Sequence, residues 1–314
     1  MVEQVEYSFD SADGISKIHG RKWIPQGEPI AVIQLVHGMV EYIERYDEFA
    51  CFLADQGFLV VGHDHIGHGH SVSDDSQLGV MRGKHPSDFM VEDILTNYKL
   101  TVAETKDLPY FILGHSMGSY MLRKALAVKA GEFSRLSGAI IVGTGQESAI
   151  TCRFGLAVIG LVSTFRGKNY RSKLIREMTY STPYKQFDCY GKDYSRSWLS
   201  KNIQNIEKYY QDKYCTYTFT ANAYKGLVET TLYDSSLDCL SKTKKDIPYL
   251  IASGGQDPVG NLGKGPEIVA TAYRRAGIKD VTLQIYKGDR HEILNEVDRE
   301  QVYQDILKWM KDHM

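Results

Sequence analysis

The stretch YFILGHSMGS, residues 110–119, decides how the rest of the chain is interpreted. An apolar run rich in strand formers stops at Gly114, and Ser116 then stands between Gly114 and Gly118 in the spacing G-x-S-x-G. This spacing is typical of a strand that turns sharply into a helix, because small residues on both sides of the serine let strand and helix approach closely. The following segment, YMLRKALAVKA, is compatible with a helix. The pattern predicts an exposed Ser116 nucleophile at a helix N-terminus, beside the free amide N–H of Met117.

Length and composition narrow the class of protein. The 314 residues suffice for one large domain with an insertion or for two smaller domains. Because 37 Lys and Arg nearly balance 39 Asp and Glu, no nucleic acid is expected as a partner. Five widely spaced cysteines without a C-x-x-C pair predict reduced thiols and a cytoplasmic location. The acidic N-terminal stretch does not have the pattern of a signal peptide, and no window reaches the roughly 18 apolar residues of a membrane span.

Apolar runs alternate with helical patterns through the first half of the chain. The first 30 residues predict a hairpin. Strands are then predicted at residues 30–36, 58–62, 110–113 and 138–142, and helices at residues 46–57, 86–106 and 121–130. Strands that alternate with helices imply right-handed crossovers, so the predicted fold is α/β, with a mostly parallel central sheet flanked by helices.

This alternation breaks between residues 146 and 217. An apolar helical stretch, residues 150–165, leads there into a polar segment rich in tyrosine. Alternation resumes with a helix at 220–232, strands at 248–252 and 281–286, and a last helix at 296–310. We therefore expect a core made of residues 1–145 and 218–314, with residues 146–217 as a helical cap or lid inserted between late strands.

Two short loops after the late strands supply further polar groups. Asp257 follows PYLIASG, and His291 follows VTLQIYKG. Because the carboxyl ends of parallel strands share one edge of a sheet, Ser116, Asp257 and His291 are predicted to converge as a catalytic triad. Asp289 competes for the acid role, but it lies on the same turn as His291 and is too close to reach the far ring nitrogen. Taken singly, Asp257 would be a turn residue and His291 a solvated loop histidine.

His37-Gly38-Met39 ends the strand predicted at residues 30–36 and has the position of the second oxyanion donor. Gly38 permits a sharp exit from the strand, so that the amide of Met39 can face the same oxygen as the amide of Met117. An ordinary strand-to-loop turn is the alternative.

The histidine-dense stretch HDHIGHGH, residues 63–70, raises the question of a metal site. Alternating histidines with an aspartate can hold zinc, and H-x-H opens the ligand set of metallo-β-lactamase-like hydrolases. That signature continues with Asp and His, whereas Ile66 and Gly67 follow here. Two glycines and Ser71 suit a tight turn after a strand, so we expect no metal and no cofactor.

The segments HGMVEYIERY, HDHIGHGHS, LGHSMGS, GGQDPVGN and YKGDRHEILNE resemble the monoacylglycerol lipase and lysophospholipase branch of the α/β-hydrolases, which is often grouped with the serine aminopeptidases. The resemblance covers roughly residues 10–145 and 220–314, and the order Ser, Asp, His is that of this fold. It implies a serine hydrolase in which the triad and the two oxyanion donors act under a cap. Ser119 departs from the pattern, because such lipases often have glycine there, and it could narrow the space behind the nucleophile.

In relatives, the Glu and Arg that match Glu41 and Arg45 lie near the polar head of the substrate; an ion pair that holds the loop is an equal alternative here.

Three functions stay open. The first is hydrolysis of carboxylic esters, of monoacylglycerol or lysophospholipid type, through an acyl-enzyme on Ser116. The second is hydrolysis of amides or peptides by the same triad, which an acidic pocket would favour, and the third is ligand binding without catalysis. The expected partner is a small acyl ester, with contact of the cap with membranes or micelles and a peripheral membrane location.

Overall fold

The computed structural model describes residues 2–105 and 107–314. The strands are β1 (Glu3–Asp10), β2 (Lys17–Ile24), β3 (Ala31–Val36), β4 (Phe58–His63), β5 (Tyr110–His115), β6 (Leu136–Val142), β7 (Tyr249–Gly254) and β8 (Val281–Tyr286). The α-helices are α1 (Asp47–Asp55), α2 (Pro86–Glu104), α3 (Met117–Val128), α4 (Ala149–Arg166), α5 (Lys173–Thr179), α6 (Ile203–Gln211), α7 (Ala221–Asp234), α8 (Leu237–Lys242), α9 (Lys264–Arg275) and α10 (Arg299–Lys311). Lys106, the last residue of the helix predicted at 86–106, lies outside the described residues.

All eight strands form one sheet, in the order β1-β2-β4-β3-β5-β6-β7-β8. The β1–β2 and β2–β4 pairs are antiparallel, as in the predicted hairpin, and the other neighbours are parallel. The mostly parallel sheet with flanking helices confirms the predicted α/β class. The five cysteines are free thiols, as expected.

The central strands are mainly apolar because both faces of the sheet are covered. In β5, Tyr110 and Ile112 pack into the core that includes side chains from α2, α3 and α7. Phe111 and Leu113 belong to the opposite core, with side chains from α1 and α10. Strands covered in this way appear in a sequence as continuous apolar runs, which explains why they were predictable.

Helix α3 begins at Met117, four residues before the predicted start at residue 121. Ser116 was predicted at a helix N-terminus, but the predicted range omitted the first turn because that turn contains Gly118, which weakens a helical pattern. The glycine is required there, since a Cβ on Gly118 would lie 2.1 Å from the carbonyl oxygen of Val36. Helices α8 and α9 were also not predicted. The start of α9 reads KGP, a sequence more typical of a loop.

The chain between β6 and α7 contains α4, α5 and α6, and α4 packs along α7. A separate apolar cluster forms here around Trp198, Leu199 and Ile206. Helix α4 is long and apolar enough to cross a membrane, judged by length and composition. The expectation that no stretch reaches that length was therefore wrong, although α4 in this fold lies against α7.

Candidate active site

Ser116 lies between the end of β5 and the first residue of α3. Its backbone has φ 52° and ψ −120°, a region that residues other than glycine rarely occupy. Its amide donates a hydrogen bond to the carbonyl of Val142, 2.9 Å away, which holds this strained turn against β6. Gly114 has no room for a side chain, since a Cβ there would lie 2.5 Å from the carbonyl oxygen of Gly118. The half-buried Ser116 side chain consequently faces a cavity at the carboxyl edge of the sheet.

Asp257 and His291 follow β7 and β8, and the structure brings their side chains together. His291 Nδ1 lies 3.0 Å from Asp257 Oδ2, although the N–H bond does not point straight at this oxygen. The Asp257 carboxylate is fully buried and also accepts hydrogen bonds from the amide of Val259 (2.8 Å) and the hydroxyl of Ser253 (3.3 Å). These donors fix the orientation of the carboxylate. His291 lines the same cavity as Ser116, so the three predicted residues meet at one edge.

Asp289, the competing acid, does not line this cavity. Its carboxylate lies 3.4 Å from Lys201 Nζ. Burial, together with the negative charges of Asp298 and Glu296, raises the pKa of Asp289 to about 6. The geometry therefore favours Asp257 as the partner of the histidine.

The two predicted oxyanion donors face no competing acceptor. Neither the amide of Met39 nor that of Met117 has a hydrogen-bond partner among the described residues, and both residues line the cavity. The loop that carries Met39 is fixed by its neighbours. Glu41 accepts the amide of Gly38 at 2.5 Å, and the hydroxyl of Tyr209 donates to the carbonyl of Val40 at 3.2 Å. A free amide at Met39 is thus held in place by side chains on either side.

A buried network of charges, not predicted as such from the sequence, lies beside this loop. Both Nη atoms of Arg45 donate to the two carboxylate oxygens of Glu292, each at 2.8 Å. Arg45 Nη1 also donates to Glu41 at 2.8 Å. Although burial alone would raise the pKa of Glu292, Arg45 outweighs burial and lowers it. Glu292 directly follows His291 in the sequence, but nothing local reveals that its partner lies 247 positions earlier.

His115 links this network to the predicted base. Its Nδ1 lies 3.1 Å from Glu41 Oε1, and its Nε2 lies 3.3 Å from the carbonyl oxygen of His291. Burial lowers the pKa of His115, but the hydrogen bond and charge of Glu41 raise it more, so the net shift is upward. For Glu41, burial raises the pKa, but His115 and Arg45 lower it by a larger amount, so the net shift is downward. Glu41 and His115 therefore pair next to His291, and each favours the charged form of the other.

The histidine-dense stretch packs against the loop that carries Met39. The ring of His37 lies 4.3 Å from that of His65 and 5.1 Å from that of His68. His37 Nε2 accepts the amide of His65, so its proton is assigned to Nδ1, 2.8 Å from the carbonyl oxygen of Gly38. Burial lowers the pKa of His63 to about 3 and of His68 to about 4. These histidines are therefore neutral and buttress the loop.

Ser116 opens into a cavity of about 520 Å³, a volume within the usual range for a ligand pocket. Its walls come from α3, α4, α5 and α7 and from the segment around Trp198. Aliphatic and aromatic side chains dominate, and within the described chain no lysine or arginine lines it. Ser119 does not line the cavity; its hydroxyl donates to the carbonyl oxygen of Ser116 at 2.6 Å.

Comparison with known proteins agrees with this geometry. The family model described as serine aminopeptidase, S33, matches residues 27–298. Human monoglyceride lipase is 29% identical over 96% of this chain and 88% of its own length. The monoacylglycerol lipase of Mycolicibacterium smegmatis is 25% identical over 98% of both chains. A thermostable carboxyl esterase from Bacillus coagulans, solved in complex with glycerol, superimposes with a TM-score of 0.87 at 27% identity, covering 100% of this chain and 99% of the esterase.

Proposed function

The chain belongs to the serine aminopeptidase S33 family of α/β-hydrolases, and on this premise we propose that it hydrolyses carboxylic esters of monoacylglycerol type. One observation carries the proposal: a strained Ser116 and a His291 paired with Asp257 face the same cavity, which is mainly apolar. The monoacylglycerol lipases and the esterase similar to this chain support an ester with a single acyl chain. Lysophospholipids share that architecture.

The proposed mechanism follows from the chemistry of the three side chains. A serine hydroxyl is protonated at neutral pH, so His291 takes the proton of Ser116 as its oxygen attacks the acyl carbon. Asp257 holds the imidazole tautomer and stabilises the imidazolium. The amides of Met39 and Met117 bind the oxyanion of the tetrahedral intermediate. His291 then gives the proton to the leaving alcohol, and water repeats the sequence on the acyl-enzyme.

We assign Glu41 and Arg45 to holding the oxyanion loop rather than to contact with substrate. Both oxygens of Glu41 are already engaged by protein groups, and Arg45 pairs with Glu41 and Glu292. The same engagement removes Glu41 and Glu292 as partners for the free α-amino group of a peptide, because Arg45 and His115 already face these two carboxylates. Glu147 also lines the cavity and has no ion-pair partner among the described residues, so amide or peptide hydrolysis stays the second candidate, which the assay below tests.

We also propose that residues 146–217 act as a cap whose helix α4 contacts lipid surfaces. One side of α4 carries Cys152 and Ile159, which are buried and line the cavity. The other side exposes large apolar side chains, among them Leu161 and Phe165. Such a helix, with an apolar face and flanking arginines, suits the boundary of a membrane or micelle. This role would place the protein peripherally at membranes.

The test is a panel of p-nitrophenyl and monoacylglycerol esters beside aminoacyl amides. We expect ester hydrolysis to dominate, and Ser116→Ala to reduce turnover by about 10⁴- to 10⁶-fold with an unchanged circular dichroism spectrum. A fluorophosphonate probe should label the wild type and not this variant. A Ser116→Ala variant that keeps most of its activity would remove Ser116 from the mechanism, and faster cleavage of the amides would favour the peptidase alternative.

A further inference from the structure

The loop that carries His291 is joined to a segment of the proposed cap, residues 195–201, here called the strap. The amide of His291 donates to the carbonyl of Trp198 at 3.4 Å, and the amide of Glu292 donates to the carbonyl of Leu199 at 2.7 Å. These bonds run between two stretches of backbone that are about ninety residues apart in the chain. The strap therefore lies directly along the loop that bears the proposed base.

The side chain of Arg290 holds the strap through hydrogen bonds to its backbone. Its Nη1 donates to the carbonyl oxygens of Ser195 (3.2 Å), Ser197 (2.6 Å) and Ser200 (3.3 Å). Its guanidinium also lies 5.6 Å from the centre of the Phe187 ring. One side chain from the histidine loop thus engages three carbonyl groups of the strap backbone.

Glu296 completes the attachment from the same loop region. This fully buried carboxylate accepts the hydroxyl of Ser200, the amide of Lys201 and the amide of Arg290, at 2.9 to 3.0 Å. Because both the strap and the histidine loop are bonded to one carboxylate, they are expected to move as one unit. This part of the proposed cap is consequently fixed to the core, in contrast to the exposed α4.

The strap places the indole of Trp198 against the proposed base. The two rings lie 4.9 Å apart with an interplanar angle of 27°, and Trp198 is 7% exposed. The indole is itself braced by Tyr184, at 5.4 Å, and by Tyr180, at 5.9 Å. His115 contacts the His291 ring as well, at 4.7 Å. The imidazole is therefore confined by packing, and only rotations that keep it stacked on the indole are accessible.

We propose that Trp198 is a positioning residue: it fixes the plane of the His291 imidazole and stabilises the imidazolium that forms when His291 takes the proton of Ser116. The face of an indole attracts a cation more strongly than a neutral ring, so this interaction is larger in the transition state than in the ground state. The role rests on the proposed function, because it acts on the same proton transfer. Trp198 should accordingly affect kcat more than KM.

A competing role for Trp198 is that of a wall of the acyl pocket, since its side chain also lines the cavity. The two roles differ in their dependence on substrate. A wall residue matters for a long acyl chain and little for acetate, whereas a residue that positions the base matters for both. Leu227, on α7, lines the cavity and does not belong to the strap, so Leu227→Ala provides a matched wall variant.

The experiment measures kcat and KM on p-nitrophenyl acetate and p-nitrophenyl dodecanoate. We expect Trp198→Leu to lower kcat about tenfold on both esters, with little change in KM for the acetate. Trp198→Phe, which keeps an aromatic face, should restore kcat to within about threefold of wild type. Leu227→Ala should instead raise KM for the dodecanoate.

Arg290→Met supplies an independent test that leaves Trp198 in place and loosens the strap. It should lower kcat on the acetate several-fold, and it decides the question if Trp198→Leu does not fold. The positioning role would be overturned if Trp198→Leu folded and kept the wild-type kcat on the acetate. If Trp198→Leu does not fold, the same result in Arg290→Met would overturn it. A wild-type protein that cleaves neither ester and does not react with a fluorophosphonate would instead refute the proposed function itself.

Discussion

The exposed side of α4 leads to a quantitative prediction about membrane contact. Leu161 is 61% exposed and Phe165 is 81% exposed, and neither lines the cavity. Complete burial of either side chain is worth about 1.5–3 kcal/mol, so these exposed fractions leave about 1–2 kcal/mol available from each. Immersion at a lipid boundary is partial, and we take about half of the sum, or about 1.5 kcal/mol. Leu161→Ser with Phe165→Ser should then weaken partition to vesicles about tenfold.

Sedimentation with phosphatidylcholine vesicles measures this partition, and hydrolysis rates on long-chain monoacylglycerol micelles and on p-nitrophenyl acetate show its consequence. The double variant should lose activity on micelles and keep it on the soluble ester. Leu237→Ser is the matched control, because Leu237 is 84% exposed but lies on α8. Unchanged partition in the double variant, equal losses on both substrates, or the same effect from Leu237→Ser would refute the reasoning.

Two further predictions concern the acid of the triad and the buried histidines. Asp257→Asn should lower kcat about 10³- to 10⁴-fold, because the asparagine cannot hold the required imidazole tautomer, while Asp289→Asn should change it far less; the opposite ranking in steady-state assays would transfer the role to Asp289. Burial lowers the pKa of His37 and His63 to about 3 in the folded protein. The unfolded chain therefore binds protons at these rings below about pH 6.5, whereas the folded protein does not until the pH approaches 3. The free energy of unfolding should accordingly fall by about 1.4 kcal/mol per pH unit for each ring as the pH decreases through this range. A thermal midpoint that stays constant between pH 7 and 4.5 would contradict this.

The parts of the fold that the sequence predicted are those with strong local patterns. β3, β4, β5 and β7 are buried on both faces, so each appears as a mainly apolar run, which in β3 is interrupted by Gln34. Ser116 and Asp257 were identified because each stands just after such a run, and His291 because it follows the half-buried strand β8. Topology alone then placed them at one edge of the sheet.

The parts that could not be predicted depend on contacts between distant residues. Trp198 appears in a polar, tyrosine-rich stretch, and nothing near it in the sequence indicates that it stacks on His291. The second partner of Arg45 is likewise invisible locally, because Glu292 is 247 positions away. Sequence reasoning left Glu41 and Arg45 open between substrate contact and ion pair. The geometry favours the ion pair, since Glu41 has no oxygen left without a partner.

The buried network is better understood as a device for alignment than as a source of stability. Burying a charge costs several kcal/mol per ion, and the attraction within a well-placed ion pair roughly offsets this cost. Such networks therefore add little to the free energy of folding. This network instead connects three loops at the carboxyl edge of the sheet. Glu41 belongs to the loop after β3, His115 ends β5, and Glu292 follows the proposed base after β8. Those segments carry the proposed oxyanion donor, nucleophile and base respectively, and the proposed mechanism requires all three within hydrogen-bond reach of one acyl group. Arg45, which contacts the first and third loops at 2.8 Å, therefore sets their spacing without touching the substrate.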